Sequence, residues 1–171
     1  MDTGLSLVEI DGVERRFGFR FLPEHREFLR RHLPVGTGWP DWRRGDPSEL
    51  AQSLSWPVDS TLFDVRNNEL WPLTWGVRPL DQADAAAVAR RRLEEMPKLV
   101  PVHGHRYLPA APAPSPAPVF SVHQTDVIYY GNDLADYLAH EFGTTKPWTP
   151  RPTARIPFWS DLAEGADSDD L

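Results

Sequence analysis

Three histidines form the grouping in this chain that most suggests metal chemistry: His103, His105 and His123, with Asp126 close by in sequence. Imidazoles two apart on a strand share a face, and a paired strand can bring a third ligand across. The chemistry would be metal-assisted hydrolysis. Gly104 argues the other way, because a turn between His103 and His105 splays their rings, and no pair at helical spacing such as HExxH joins them. The three are read as turn and cross-strand polar residues, with a metal-dependent hydrolase kept as a rival.

Nucleophiles fare no better. Ser121 lies inside a strand pattern with Phe120 and Val122 as neighbours, without the sharp elbow of a GxSxG motif. Ser55 and Ser60 sit where hydroxyls cap helices. Carboxylates such as Asp41 and Asp64 are available, but no spacing sets two of them a sugar ring apart. The glycines, Gly36, Gly38, Gly76, Gly104 and Gly131 among them, form no phosphate-binding pattern. No catalytic residue, cofactor site or metal ligand is assigned, and the chain is expected not to be an enzyme.

The elements that would position these groups must come from one chain of 171 residues, 40% apolar, with Cys 0. That length supports one compact domain with a core able to fold without staples. The absence of cysteine removes disulfides, thiol catalysis and thiolate metal sites. No apolar run reaches the ~18 residues of a membrane span, and the first residues have no basic-plus-apolar signal pattern, so the expected address is the cytoplasm. The net charge is −7. Five acids and no base fall between Trp159 and Leu171, which leaves the rest of the chain at −2. There is no lysine-rich arm or basic stripe, so neither nucleic acid nor membrane is an expected partner.

Prolines and caps mark out the elements. Pro23 opens a helix that carries Phe21, His25, Phe28, Leu29 and Leu33 at spacings of three and four, with Pro34 stopping it. Asp46-Pro47-Ser48-Glu49 opens a second, Asp59 a short third, and Asp81 the longest, running to Met96 before Pro97. Leu99 to Val102 and Arg106 to Leu108 read as one hairpin, and Val119 to His123 and Asp126 to Tyr130 as another. Asn132 caps a last helix ended by Gly143. Half of the positions from Pro109 to Pro118 are proline, a stiff loop between strands. Helices first and hairpins later predict an α+β domain over residues 1–143, an antiparallel-rich sheet flanked by helices. An extended Pro-rich tail follows over residues 144–171, whose Ile156, Phe158 and Trp159 dock on the body before a disordered acidic end.

The remaining signal is aromatic. Seven tryptophans are present, and Trp39, Trp42, Trp56, Trp71 and Trp75 fall in a single stretch. Most such rings pack over a sheet, and those left over suit an interface. The loop Gly36-Thr37-Gly38-Trp39-Pro40-Asp41-Trp42 is read as presenting two rings, edged by Arg43 and Arg44. The residues assigned to partner binding are Trp39, Asp41, Trp42, Asp64, Trp71 and Trp75.

Phe21-Leu22-Pro23-Glu24-His25-Arg26-Glu27-Phe28-Leu29, Phe63-Asp64-Val65 and the run from Val119 to Gly131 together resemble the SUKH superfamily, which takes in Smi/Knr-type cell-wall assembly regulators and bacterial immunity proteins. Phe21-Leu22-Pro23-Glu24-His25-Arg26-Glu27-Phe28-Leu29 is similar to its opening helix. Phe63-Asp64-Val65, Trp71 and Trp75-Gly76 look like the middle of its bacterial branch. The run from Val119 to Gly131 resembles its late hairpin, and Asn132 to Phe142 the helix that follows. The likeness covers roughly Phe17 to Phe142. It implies an α+β fold without an enzymatic centre, and a function of binding protein, in bacterial members commonly a polymorphic toxin. It transfers no catalytic residue. The expected function is neutralisation of a toxin by direct binding, the alternatives being a scaffold in cell-envelope growth or the histidine-based hydrolase. Oligomeric state is left open.

Overall fold

A computed structural model describes residues 2–143, 149–166 and 171. Among these, six α-helices and two antiparallel sheets make a mixed α+β architecture. None of the helices is long and apolar enough to cross a membrane.

The chain starts with β1 (Asp2–Thr3) and α1 (Leu7–Phe17). The sequence analysis assigned no helix here, yet its signal is local. Ser6 and Glu9 form a reciprocal capping box, and Gly18 closes the helix in the left-handed region at φ 64°. Next come α2 (Pro23–Arg31) and β2 (His32–Leu33), which pairs with β1. Leu33, expected on the helix, is therefore a strand residue. Arg26 on α2 reaches back to Glu14 at 2.9 Å and Asp11 at 2.6 Å, tying the first two helices together.

The largest correction concerns the third element. The short helix expected from Asp59 does not exist separately: α3 (Pro47–Asn67) runs unbroken through Pro57 for 21 residues. Proline has no N–H, so the carbonyl of Ser53 loses its intrahelical donor. The Tyr107 hydroxyl supplies one from the sheet at 3.1 Å. The carbonyl of Pro57 itself accepts from Ser60 Oγ and Thr61 Oγ1. Asp59 does not act as a cap; it pairs with Arg90 at 2.8 Å on α4 (Gln82–Glu94), whose N-cap is Asp81. With 13 residues α4 is shorter than α3, and Met96 lies beyond its end.

Both expected hairpins are present, as β3 (Leu99–His103) with β4 (Arg106–Pro109) and β5 (Val119–His123) with β6 (Asp126–Gly131). They join as a four-stranded antiparallel sheet in sequence order. The proline loop between them is packed, not free: Ala111 pairs with Arg20, and Glu24 accepts from Ala117 N and Ser115 Oγ.

Register gives the sheet two unlike faces, since adjacent residues on a strand point opposite ways. The row Tyr107, Phe120, Tyr129 is buried in the main core, whereas the neighbouring row Arg106, Ser121, Ile128 ends in an exposed isoleucine. The last long helix is α5 (Leu134–Phe142), and its N-cap is Asp133 rather than Asn132. The expected extended tail contains α6 (Trp159–Ala163). Ile156, Phe158, Trp159 and Leu162 belong to the main core, and Trp159 Nε1 donates to Pro97 O at 2.7 Å. Residues 144–148 and the acidic positions Asp167, Asp169 and Asp170 lie outside the described residues. A second apolar cluster gathers Leu5, Ile10 and Val13 of the N-terminal segment with Trp42, Leu50 and Val100.

Candidate functional site

The six residues assigned to partner binding do not form one patch. Trp42 is 5% exposed, and its ring meets Phe17, Phe19 and Phe21 at centroid separations of 6.2, 6.0 and 5.4 Å. It is core, because the chain turns inward after Pro40. Asp41 holds that turn by accepting from the backbone N–H groups of Arg43 and Arg44. The Arg43 side chain is engaged by Glu9 at 2.6 Å and by the carbonyls of Thr3 and Gly4. Asp64 is 2% exposed and accepts from Thr125 N at 2.8 Å and Thr125 Oγ1 at 2.7 Å, joining α3 to the β5–β6 turn. Trp75 is buried against Phe158, with Trp71 edge-on to it at 5.4 Å and Arg78 over the Trp71 ring.

Trp39 alone among them faces an open depression. Phe28 from α2, Pro34 and Val35, Trp39, and Leu138 and Phe142 from α5 line a groove of about 360 Å³. Trp39 stacks on Phe142 at 5.3 Å and lies 4.7 Å from the His103 ring. Its loop is held by two backbone bonds, Trp39 N to Gly36 O at 3.1 Å and Gly104 N to Gly38 O at 2.7 Å. Gly38 is required there: φ is +84°, and a Cβ would come within 2.6 Å of His103 Nε2. Phe142 remains 52% exposed and Val35 38%.

The histidines find their places around this groove and the sheet ends. Nδ1 of His103 lies 3.3 Å from the Tyr137 hydroxyl, which burial holds above the usual phenol range. Gly104, with φ 54°, turns the chain so that His105 leaves on the exposed side. Burial, with Arg106 and His123 nearby, lowers the pKa of His105 from its ordinary value. Among the described residues, no three His, Asp or Glu side chains are grouped to hold a metal ion.

Beside the groove, across Tyr137, stands a group that the sequence analysis left unassigned. The Tyr137 ring is 6.2 Å from Phe142 and 6.1 Å from Tyr130. Arg106 lies over Tyr130, its guanidinium carbon 3.8 Å from the ring centroid, and Nη1 donates to Ser121 Oγ at 3.2 Å. Phe28, Phe142, Tyr130 and Arg106 were all missed as site residues. For Arg106 and Tyr130 the one sequence signal was strand phase, since with Ser121 they alternate out of step with the buried row; Phe28 and Phe142 lie on helices and carried none. Rings and an arginine around a shallow apolar depression suit contact with another macromolecule, as they are the side chains that dominate binding energy at interfaces. Compared with known proteins, the chain matches no family model, no curated protein and no solved structure.

Proposed function

We propose that this protein acts by contact, binding another protein through the face formed by the Trp39 groove and α5, in the manner of an immunity protein that neutralises a toxin. The observation that carries the reading is the groove itself. Trp39 and Phe28 are fixed by surrounding structure, while Phe142 and Val35 stay open to solvent at its edge. Rigid aromatic rings bury much area at small entropic cost, and their exposure in the free protein leaves that gain to be made on binding. The immunity assignment rests further on the likeness of the Phe21 to Leu29 and Val119 to Gly131 stretches to the SUKH pattern.

The test is co-expression with the product of the adjacent gene, followed by measurement of stoichiometry and affinity. A one-to-one complex of nanomolar strength is expected, with about 1,600 Å² buried. Phe142→Ala, at a half-exposed ring, should weaken it about tenfold or more, while the loss of its contacts with Trp39 and Tyr137 lowers the melting temperature by only a few degrees. A complex indifferent to both Phe142→Ala and Trp39→Ala would place the interface elsewhere, and failure of any neighbouring gene product to bind would remove the immunity reading.

A further inference from the structure

Arg106 has the least compensated charge on the open face of the sheet. A guanidinium offers five N–H donors in a rigid plane. Here one bond is made, to Ser121 Oγ. Nε is buried without a partner, and Nη2 has none among the described residues. Every ion pair among these residues involves other arginines. Tyr130 beneath the guanidinium holds its plane in place, so little freedom remains to be lost when an anion arrives.

We propose that Arg106 receives a carboxylate from the protein partner, next to the groove that takes an apolar side chain of the same partner. This rests on the contact-binding reading above. The shape of the site favours a carboxylate over a phosphate. A single guanidinium matches a single negative charge in a planar two-point contact, and a phosphate of charge near −2 calls for more than one cation. On α5 the Glu141 carboxylate is close enough to act on His105 and Tyr137, and it makes neither a hydrogen bond nor an ion pair with Arg106. It adds negative potential and so opposes the more highly charged ligand more strongly.

The test needs no partner, so its failure is distinct from failure of the binding function. Isotope-labelled protein is titrated with benzoate, with its neutral isostere benzamide and with inorganic phosphate, at constant ionic strength, while the Arg106 side-chain and Tyr130 ring resonances are followed. Benzoate should produce saturable shifts at millimolar concentration, benzamide should not, and Arg106→Gln should abolish the response while Arg106→Lys retains part of it. With a partner in hand, Arg106→Gln should weaken the complex about tenfold or more. Equal responses to benzoate and benzamide, or no saturation by either, would overturn the proposal. So would saturation by phosphate at lower concentration. Benzoate binding that appears only in Glu141→Gln would overturn it too, because Glu141 would then be the occupant of Arg106.

Discussion

The contact between Tyr107 and the proline-containing helix offers a quantitative test of how α3 stays continuous. Pro57 leaves the Ser53 carbonyl without its helical donor, and the Tyr107 hydroxyl replaces it at 3.1 Å from a side chain that is itself buried. Tyr107→Phe removes that donor and little else. An unsatisfied carbonyl in such a setting costs about 1–3 kcal/mol, and Ser53 is half-buried, so the lower half of that range applies. For a chain of this length the corresponding fall in melting temperature is about 2–8 °C. Pro57→Ala restores an N–H to Ser53 O, so in that background Tyr107→Phe should cost under ~0.5 kcal/mol, a coupling of about 1 kcal/mol. Urea unfolding of the four proteins measures it, with the m-value held constant across the cycle as the check on two-state behaviour. An equal cost of Tyr107→Phe in both backgrounds would refute the account, because the hydroxyl would then be serving something other than the carbonyl that proline frees.

Buried His25 makes stability depend on pH: its folded pKa falls from 6.5 to about 3 because burial disfavours the charged ring, and Nδ1 has no partner. The unfolded chain therefore takes up the proton first, and stability is full above pH 6.5 and lost as the pH falls toward 3, by about 2 kcal/mol between pH 6.5 and 5. His105 shifts in the same direction, so His25→Leu should flatten most but not all of the slope, and an unchanged slope would show that His25 is not its source. Trp42→Ala should lower stability by about 3–5 kcal/mol, as for other large core rings, whereas Trp39→Ala should affect partner binding more than folding; equal thermal losses would place Trp39 in the core. Asp64→Ala strands the N–H of Thr125 and should cost about 1–3 kcal/mol, with hydrogen exchange accelerated at that amide, and unaltered exchange there would mean another acceptor serves it.

Local capping patterns made two helix starts legible, while at α5 the cap falls on Asp133, one residue past the Asn132 expected. Asp46-Pro47-Ser48-Glu49 and Asp81 start helices because their side chains satisfy the first free N–H groups of the helices they precede. Both hairpins follow from alternation and turn residues. The Ser6–Glu9 capping box and the closing Gly18 were equally readable, and no helix was assigned to them. The continuity of α3 was not readable, because the hydroxyl that replaces the missing bond comes from residue 107 and only folding brings it there.

The site followed the same division. That tryptophans are numerous and clustered is a property of composition. Which rings face solvent is not, since adjacent residues on a loop can point to opposite sides: Trp42 turned into the core among Phe17, Phe19 and Phe21, and Trp39 turned to meet Phe142 from a helix about a hundred residues later. Arg106 likewise became a candidate only when register placed Ser121 and Tyr130 beside it. Local sequence determined the helices, hairpins and caps, because short-range hydrogen bonding and periodicity act within a few residues. Exposure and pairing of side chains were decided by tertiary structure, because they depend on which distant segment arrives to cover each face.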